Sequence, residues 1–139
     1  MVEDDDDIRR ATCDFLSSAG YGCLEASNGR EALALLPDLV RPAVVLLDIM
    51  MPVMDGFEFL TELARSGQTT DLSVVIVSAS PNLCEGRDVT EGVPVVAKPV
   101  SPSHLLDLVR ARVSDPSDPG FRKPSVRPAS FARNRERRD

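Results

Sequence analysis

Residues 43–47 read Ala-Val-Val-Leu-Leu, and the run stops on a carboxylate, Asp48. A strand with one wet face alternates apolar and polar side chains. A run without alternation has both faces covered, which is the habit of strands inside parallel sheets flanked by helices. Residues 72–78, "LSVVIVS", repeat the pattern. Two such strands need helices on both sides, and the rest of the chain supplies them. Ile8, Ala11, Phe15 and Leu16 recur at helical spacing and predict a first helix over about 6–19. Asn28 with Glu31, and Asp55 with Glu58, are capping-box pairs. They open "NGREALALL" and a helix running to about residue 67 with Phe57, Leu60 and Ala64 inward. Ser101 as cap and Pro102 in the first turn open a last helix, "SPSHLLDLVRARV". "YGCLEA" and "VPVVA" read as two further strands. The alternation predicts a parallel α/β sheet covered on both sides. Two elements are weak: the first strand has only Met1 and Val2 ahead of the acids, and 81–93, "PNLCEGRDVTEGV", predicts a short or frayed fourth helix.

The charge divides the chain. Residues 1–113 hold 18 acids and 9 bases, whereas residues 114–139 hold 4 acids and 7 bases. The second stretch is rich in Pro, Ser and Arg with no apolar periodicity, so it reads as a disordered basic tail beside a single folded domain, 1–113. No apolar run approaches the ~20 residues that cross a bilayer. The acidic start, "MVEDDDDIRR", is no signal peptide, and a cytoplasmic location is expected. Three scattered cysteines, Cys13, Cys23 and Cys84, argue against a disulfide framework or a zinc site and read as small buried hydrophobes. His104, on a helix start, reads as a surface residue.

In an open parallel sheet, functional groups gather beyond the C-terminal ends of the strands. The predicted strands end at Glu3-Asp4, Asp48, Ser78 and Lys98. Neighbouring strands lie ~4.8 Å apart, so these groups can converge. Three carboxylates in one pocket repel one another, and a divalent cation removes the difficulty. Oxygen-rich surroundings without sulfur or histidine suit Mg²⁺. Asp48 is then placed as an ionised nucleophile for phosphorus, with Lys98 supplying positive charge and the Ser78 hydroxyl donating to a phosphoryl oxygen.

"VEDDDDIR", "LLDIMMPVMDG", "SAS" and "AKP" appear in that order, with Asp4 to Asp48, Asp48 to Ser78 and Asp48 to Lys98 separated by 44, 30 and 50 positions. Over about residues 1–113 the chain resembles the receiver domain of two-component response regulators. The resemblance implies a flavodoxin-like (βα)5 doubly wound sheet of strand order 2-1-3-4-5, here with a clipped first strand and weak fourth helix. It implies Asp48 as the acceptor of a phosphoryl group from a sensor histidine kinase or phosphotransfer protein, with Ser78 and Lys98 assisting. Mg²⁺ would be held by Asp4, Asp48 and the backbone carbonyl of Met50, with Glu3 acting through a bound water. The Lys98–Pro99 bond would be cis. The aromatic usual three positions before the lysine is Val95 here.

The leading expectation is a stand-alone phosphoacceptor, a monomer or weak dimer, that signals to an output protein through protein contacts. It catalyses only its own phosphotransfer and dephosphorylation, and DNA binding is not expected. The alternative is a degenerate receiver acting as a phosphorylation-independent interaction module. A haloacid-dehalogenase-type phosphatase would need an acid where Met50 stands. A flavodoxin-like electron carrier would need a Ser/Thr-rich phosphate loop where the first loop is acidic.

Overall fold

The computed structural model describes residues 1–113; the expectation of a basic tail over 114–139 lies outside them. Three parallel strands form the sheet: β1 (Ala43–Leu47), β2 (Leu72–Ser78) and β3 (Val95–Ala97), in that spatial order. Leu47 faces Ile76, and Ser78 faces Ala97. Beyond β1, Val2 bridges Leu47 on one side and Ala26 on the other, both parallel. The lateral order is therefore Ala26, Val2, β1, β2, β3. This is the expected 2-1-3-4-5 arrangement with its first two strands shortened to single bridges. Only one residue of "YGCLEA" pairs as a strand. The clipped N-terminal segment is nonetheless fully engaged: Val2 N–H donates to Leu46 O (2.9 Å), Asp48 N–H to Val2 O (3.0 Å) and Glu3 N–H to Ala26 O (3.0 Å).

Both sheet faces are covered, as the unbroken apolar strands require. Val45, Leu47 and Ile76 point to one side, where they meet Leu35, Phe59, Leu60 and Leu63. Leu46, Val75 and Val77 point to the other and pack with Leu16, Leu105 and Val109. The first side carries α2 (Gly29–Leu35) and α3 (Gly56–Ser66); the second carries α1 (Asp6–Ser18) and α4 (Pro102–Arg110).

The caps behave as their chemistry dictates. Asp55 accepts from Glu58 N–H at 2.9 Å, and Gly67 ends α3 at φ 70°. Asn28 caps α2 through Glu31 N–H. The Glu31 carboxylate closes onto Ser27 N–H (2.7 Å), one residue earlier than a capping box predicts. Ser101 caps α4 through His104 N–H, and His104 is exposed.

Two expected helix faces are rotated. In α3 the buried residues are Gly56, Phe59, Leu60 and Leu63, while Ala64 is exposed. In α1 they are Arg9, Cys13 and Leu16, while Ile8 and Ala11 are exposed. The weak fourth helix is two 3₁₀ turns, Pro81–Cys84 and Asp88–Thr90, separated by Gly86 at φ 71°.

One cysteine expectation is corrected. Cys13 and Cys23 form a disulfide with Cα atoms 5.5 Å apart. The chain turns back within a sequence separation of 10 and brings the buried face of α1 over the 21–26 segment, a proximity that linear spacing does not reveal. Cys84 is free and buried, as expected of a small hydrophobe.

Candidate functional site

At the C-terminal edge of the sheet the strand ends converge. Val2, β1, β2 and β3 lie side by side, so the residues after them, Glu3-Asp4, Asp48, Ser78 and Lys98, share one edge. A carboxylate oxygen from each of Glu3, Asp4 and Asp48 lies within 4.8 Å of the other two. Glu3 and Asp48 are buried, at 2% and 6% exposure, while Asp4 is open to solvent. Lys98 reaches in from the far side. Its Nζ donates to Glu3 Oε2 at 2.8 Å and stands 3.7 Å from Asp48 Oδ2. The peptide bond that follows it, Lys98–Pro99, is cis. Ser78 is fully buried, and its Oγ accepts from Ser80 N–H at 3.0 Å.

Asp48 is held by its own loop. Its Oδ1 accepts from Ile49 N–H at 2.9 Å. The chain then turns back, and Gly56 N–H donates to Ile49 O at 2.9 Å. Gly56 permits that closure: a Cβ there would lie 2.6 Å from Ile49 Cδ1 and 2.7 Å from Asp48 O. Within the turn, Val53 adopts φ 69°, a conformation costly for a β-branched residue. Met50 sits two residues past Asp48 and is 64% exposed.

The electrostatics follow from this crowding. Burial raises the Asp48 pKa to about 6, and repulsion from Glu3 adds to the effect, against the pull of Lys98. Burial works against the Lys98 ammonium, but its hydrogen bond to Glu3 and the Asp48 charge outweigh it, so the lysine is held protonated above its ordinary range. An all-oxygen set of three mutually repelling carboxylates fits a hard divalent cation such as Mg²⁺.

The arrangement brings together Glu3, Asp4, Asp48 and Lys98, with Ser78 on the neighbouring strand end. It also contains a residue that the apolar reading of α1 passes over. Arg9 is 8% exposed and lies beneath the acidic loop. Its signal was available: Arg9, Cys13 and Leu16 share one helical face once a charged residue is allowed on it.

A parallel sheet with covered faces and an acidic C-terminal edge beside a lysine fits a phosphoacceptor signalling domain. The response regulator receiver domain model matches residues 1–110, and the chain belongs to that family. It is 33% identical over 123 residues to the phosphate regulon transcriptional regulatory protein PhoB of Pseudomonas aeruginosa, covering 85% of this chain and 53% of that one. It is likewise 33% identical over 111 residues to the transcriptional regulatory protein SrrA of Staphylococcus aureus, covering 80% and 45%. The chain thus spans about half the length of the curated relatives it matches. Among solved structures, a CheY-like receiver domain protein from Methanospirillum hungatei superposes with TM-score 0.69 at 29% identity, covering 78% of this chain and 86% of that one. The response regulator TrrA of Thermotoga maritima, solved in complex with Mg²⁺ and BeF, gives TM-score 0.69 at 25% identity, covering 81% and 95%. No helix among the described residues is long and apolar enough to cross a membrane.

Proposed function

We propose that residues 1–113 form a receiver in which Asp48 accepts a phosphoryl group from a phosphohistidine on a sensor kinase or phosphotransfer protein. The observation that carries this reading is the meeting of three carboxylates within 4.8 Å with the Lys98 ammonium at 2.8 Å from Glu3. In the reaction, an Asp48 carboxylate oxygen forms the new bond to phosphorus, and the bond from phosphorus to the donor nitrogen breaks. The donor nitrogen keeps that electron pair and takes a proton from solvent. Asp48 must be ionised to attack. Lys98 favours that form and neutralises charge on the transferred oxygens. Ser78, on the adjoining strand end, donates a hydrogen bond from its hydroxyl to a phosphoryl oxygen.

Asp4, Asp48 and the Met50 carbonyl would hold Mg²⁺, with Glu3 acting through a bound water. When bound, the ion supplies charge neutralisation for the carboxylates and the incoming phosphoryl oxygens. Glu3 is already spoken for by Lys98, which supports an outer role for it and leaves the exposed Asp4 as the freer ligand.

Signalling through protein contacts as a stand-alone cytoplasmic domain, monomeric or weakly dimeric, is part of the proposal. The native mass of the protein in cell extract tests the stand-alone part. A second reading, a phosphorylation-independent interaction module, draws support from the two 3₁₀ turns that replace the fourth helix. Mass spectrometry after treatment with a small-molecule phosphodonor separates the two. The phosphoacceptor reading expects a gain of one phosphoryl group in wild type with Mg²⁺, and none in Asp48→Ala or with chelator. Equal gain in wild type and Asp48→Ala removes Asp48 from its role, and no gain in wild type favours the interaction module.

A further inference from the structure

We propose that Arg9 is a positioning residue for the acidic loop: its guanidinium fixes the main chain of Glu3, and through it the Glu3 and Asp4 carboxylates. This inference rests on the phosphoacceptor reading of the site and adds a residue to it.

A buried arginine loses its hydration and is retained only where its donors are satisfied. Arg9 satisfies three nitrogens on three separate segments. Nη1 donates to the Glu3 main-chain carbonyl at 2.9 Å, Nε to Glu25 Oε1 at 3.2 Å and Nη2 to Asp6 Oδ1 at 2.6 Å. The last two contacts anchor the fork to the segment beside the sheet and to the first turn of its own helix. The first spends the remaining arm on the peptide bond that leads into Asp4. Tying α1 to Glu25 would not require that arm. The Glu3 N–H is already held by Ala26 O at 3.0 Å, and its side chain by Lys98. Arg9 holds the one remaining polar group of Glu3, so the residue is fixed on every side before Asp4 emerges into solvent.

The anchor is itself stiff. Cys13 lies one turn along the same buried face of α1, and its disulfide to Cys23 joins the helix to the segment that carries Glu25. A lysine at position 9 would bring one compact ammonium in place of a planar fork, and three acceptors in three directions would no longer be met together. Arg9 touches neither the reacting oxygen nor phosphorus, so its effect is on metal affinity.

The test compares Arg9→Lys with Leu16→Ala, which destabilises the same helix from its sheet-facing side without touching the loop. Two quantities are read: Mg²⁺ affinity of the unphosphorylated protein by calorimetry, and hydrogen exchange of the Asp4–Asp7 amides in chelator. Residues that orient metal ligands typically change affinity by roughly tenfold or more. Arg9→Lys is expected to weaken Mg²⁺ binding to that extent and to speed exchange in the loop, with the phosphorylation rate largely restored at saturating Mg²⁺. Leu16→Ala is expected to lower the melting temperature and leave affinity unchanged. Wild-type affinity in Arg9→Lys, or equal weakening in both variants, overturns the proposal. If wild type binds no Mg²⁺, the phosphoacceptor reading is what fails. The Arg9 inference then stands or falls on the exchange data alone: unchanged exchange in Arg9→Lys overturns it. Should Arg9→Lys not fold, Glu25→Ala, which removes one anchor of the fork, carries the same readouts and outcomes.

Discussion

Asp48→Asn should make the metal-free fold more stable, and the gain should depend on pH in a stated direction. Asp48 is buried beside Glu3, and its carboxyl is raised from the usual 3.8 to about 6. A raised acid pKa means that the folded chain holds the proton more tightly than the unfolded chain. Asp48 therefore costs the fold nothing below the unfolded pKa. The cost grows as pH rises between the two pKa values and is complete above the folded one. A shift of about two units corresponds to on the order of 3 kcal/mol at about pH 8. Asparagine has nearly the same shape, keeps an amide oxygen to accept from Ile49 N–H, and leaves the Lys98–Glu3 pair in place. In chelator at about pH 8, Asp48→Asn is thus expected to exceed wild type by about 2–3 kcal/mol, with a melting temperature higher by roughly 10 °C. The gap should shrink through about pH 6 and vanish near pH 4. Added Mg²⁺ should narrow it from the other side, because wild type gains binding free energy that the variant lacks. Urea denaturation followed by far-UV circular dichroism at these pH values measures it. A variant no more stable than wild type at the high pH, or a gap indifferent to pH, would refute the claim that an uncompensated carboxylate is stored in this pocket.

Other perturbations reach the same region. Lys98→Met strips the buried Glu3 of its cation and should cost about 3–5 kcal/mol in chelator, with part of the loss recovered on adding Mg²⁺; thermal melts with and without the ion measure both effects. Val53→Gly relieves a positive φ at a residue 67% exposed and should raise stability by about 1 kcal/mol, read from the denaturation midpoint. Gly56→Ala should cost about 1–3 kcal/mol, because the backbone oxygen of Asp48 cannot yield without moving the acceptor, and it should also weaken Mg²⁺ binding in a titration. Phe59→Ala, at a fully buried position under the sheet, should cost about 3–5 kcal/mol by denaturation while leaving the site residues in place.

The sheet and the convergence of Glu3, Asp4, Asp48 and Lys98 at one edge were legible in the amino-acid order because both depend on local pattern. Val45, Leu46 and Leu47 announce their burial by failing to alternate, and a carboxylate at the end of such a run lands at the C-terminal edge whatever the loops do. The caps at Asn28, Asp55 and Ser101 depend on a side chain and an amide a few residues apart, so they too were readable. The faces of α1 and α3 were not. A helix with apolar residues on more than one side is turned by what it packs against: Phe59 enters the core beneath the sheet, and Arg9 is drawn in by its bonds to Glu3 and Glu25.

The shortness of the first strand at Val2 was legible, but the reduction of the second to a single bridge at Ala26 was beyond local reading. Strand length there is decided by how far the neighbouring chain follows, not by propensity. The Cys13–Cys23 bond and the Arg9 contacts to Glu3 and Glu25 join segments that only the packing of α1 onto the sheet brings together. The residue types at the pocket were thus set by the chain's own order. Which of them is buried, and which cation meets which oxygen, was decided by tertiary structure, because charge interactions depend on distance and hydration, and neither exists until the elements are packed.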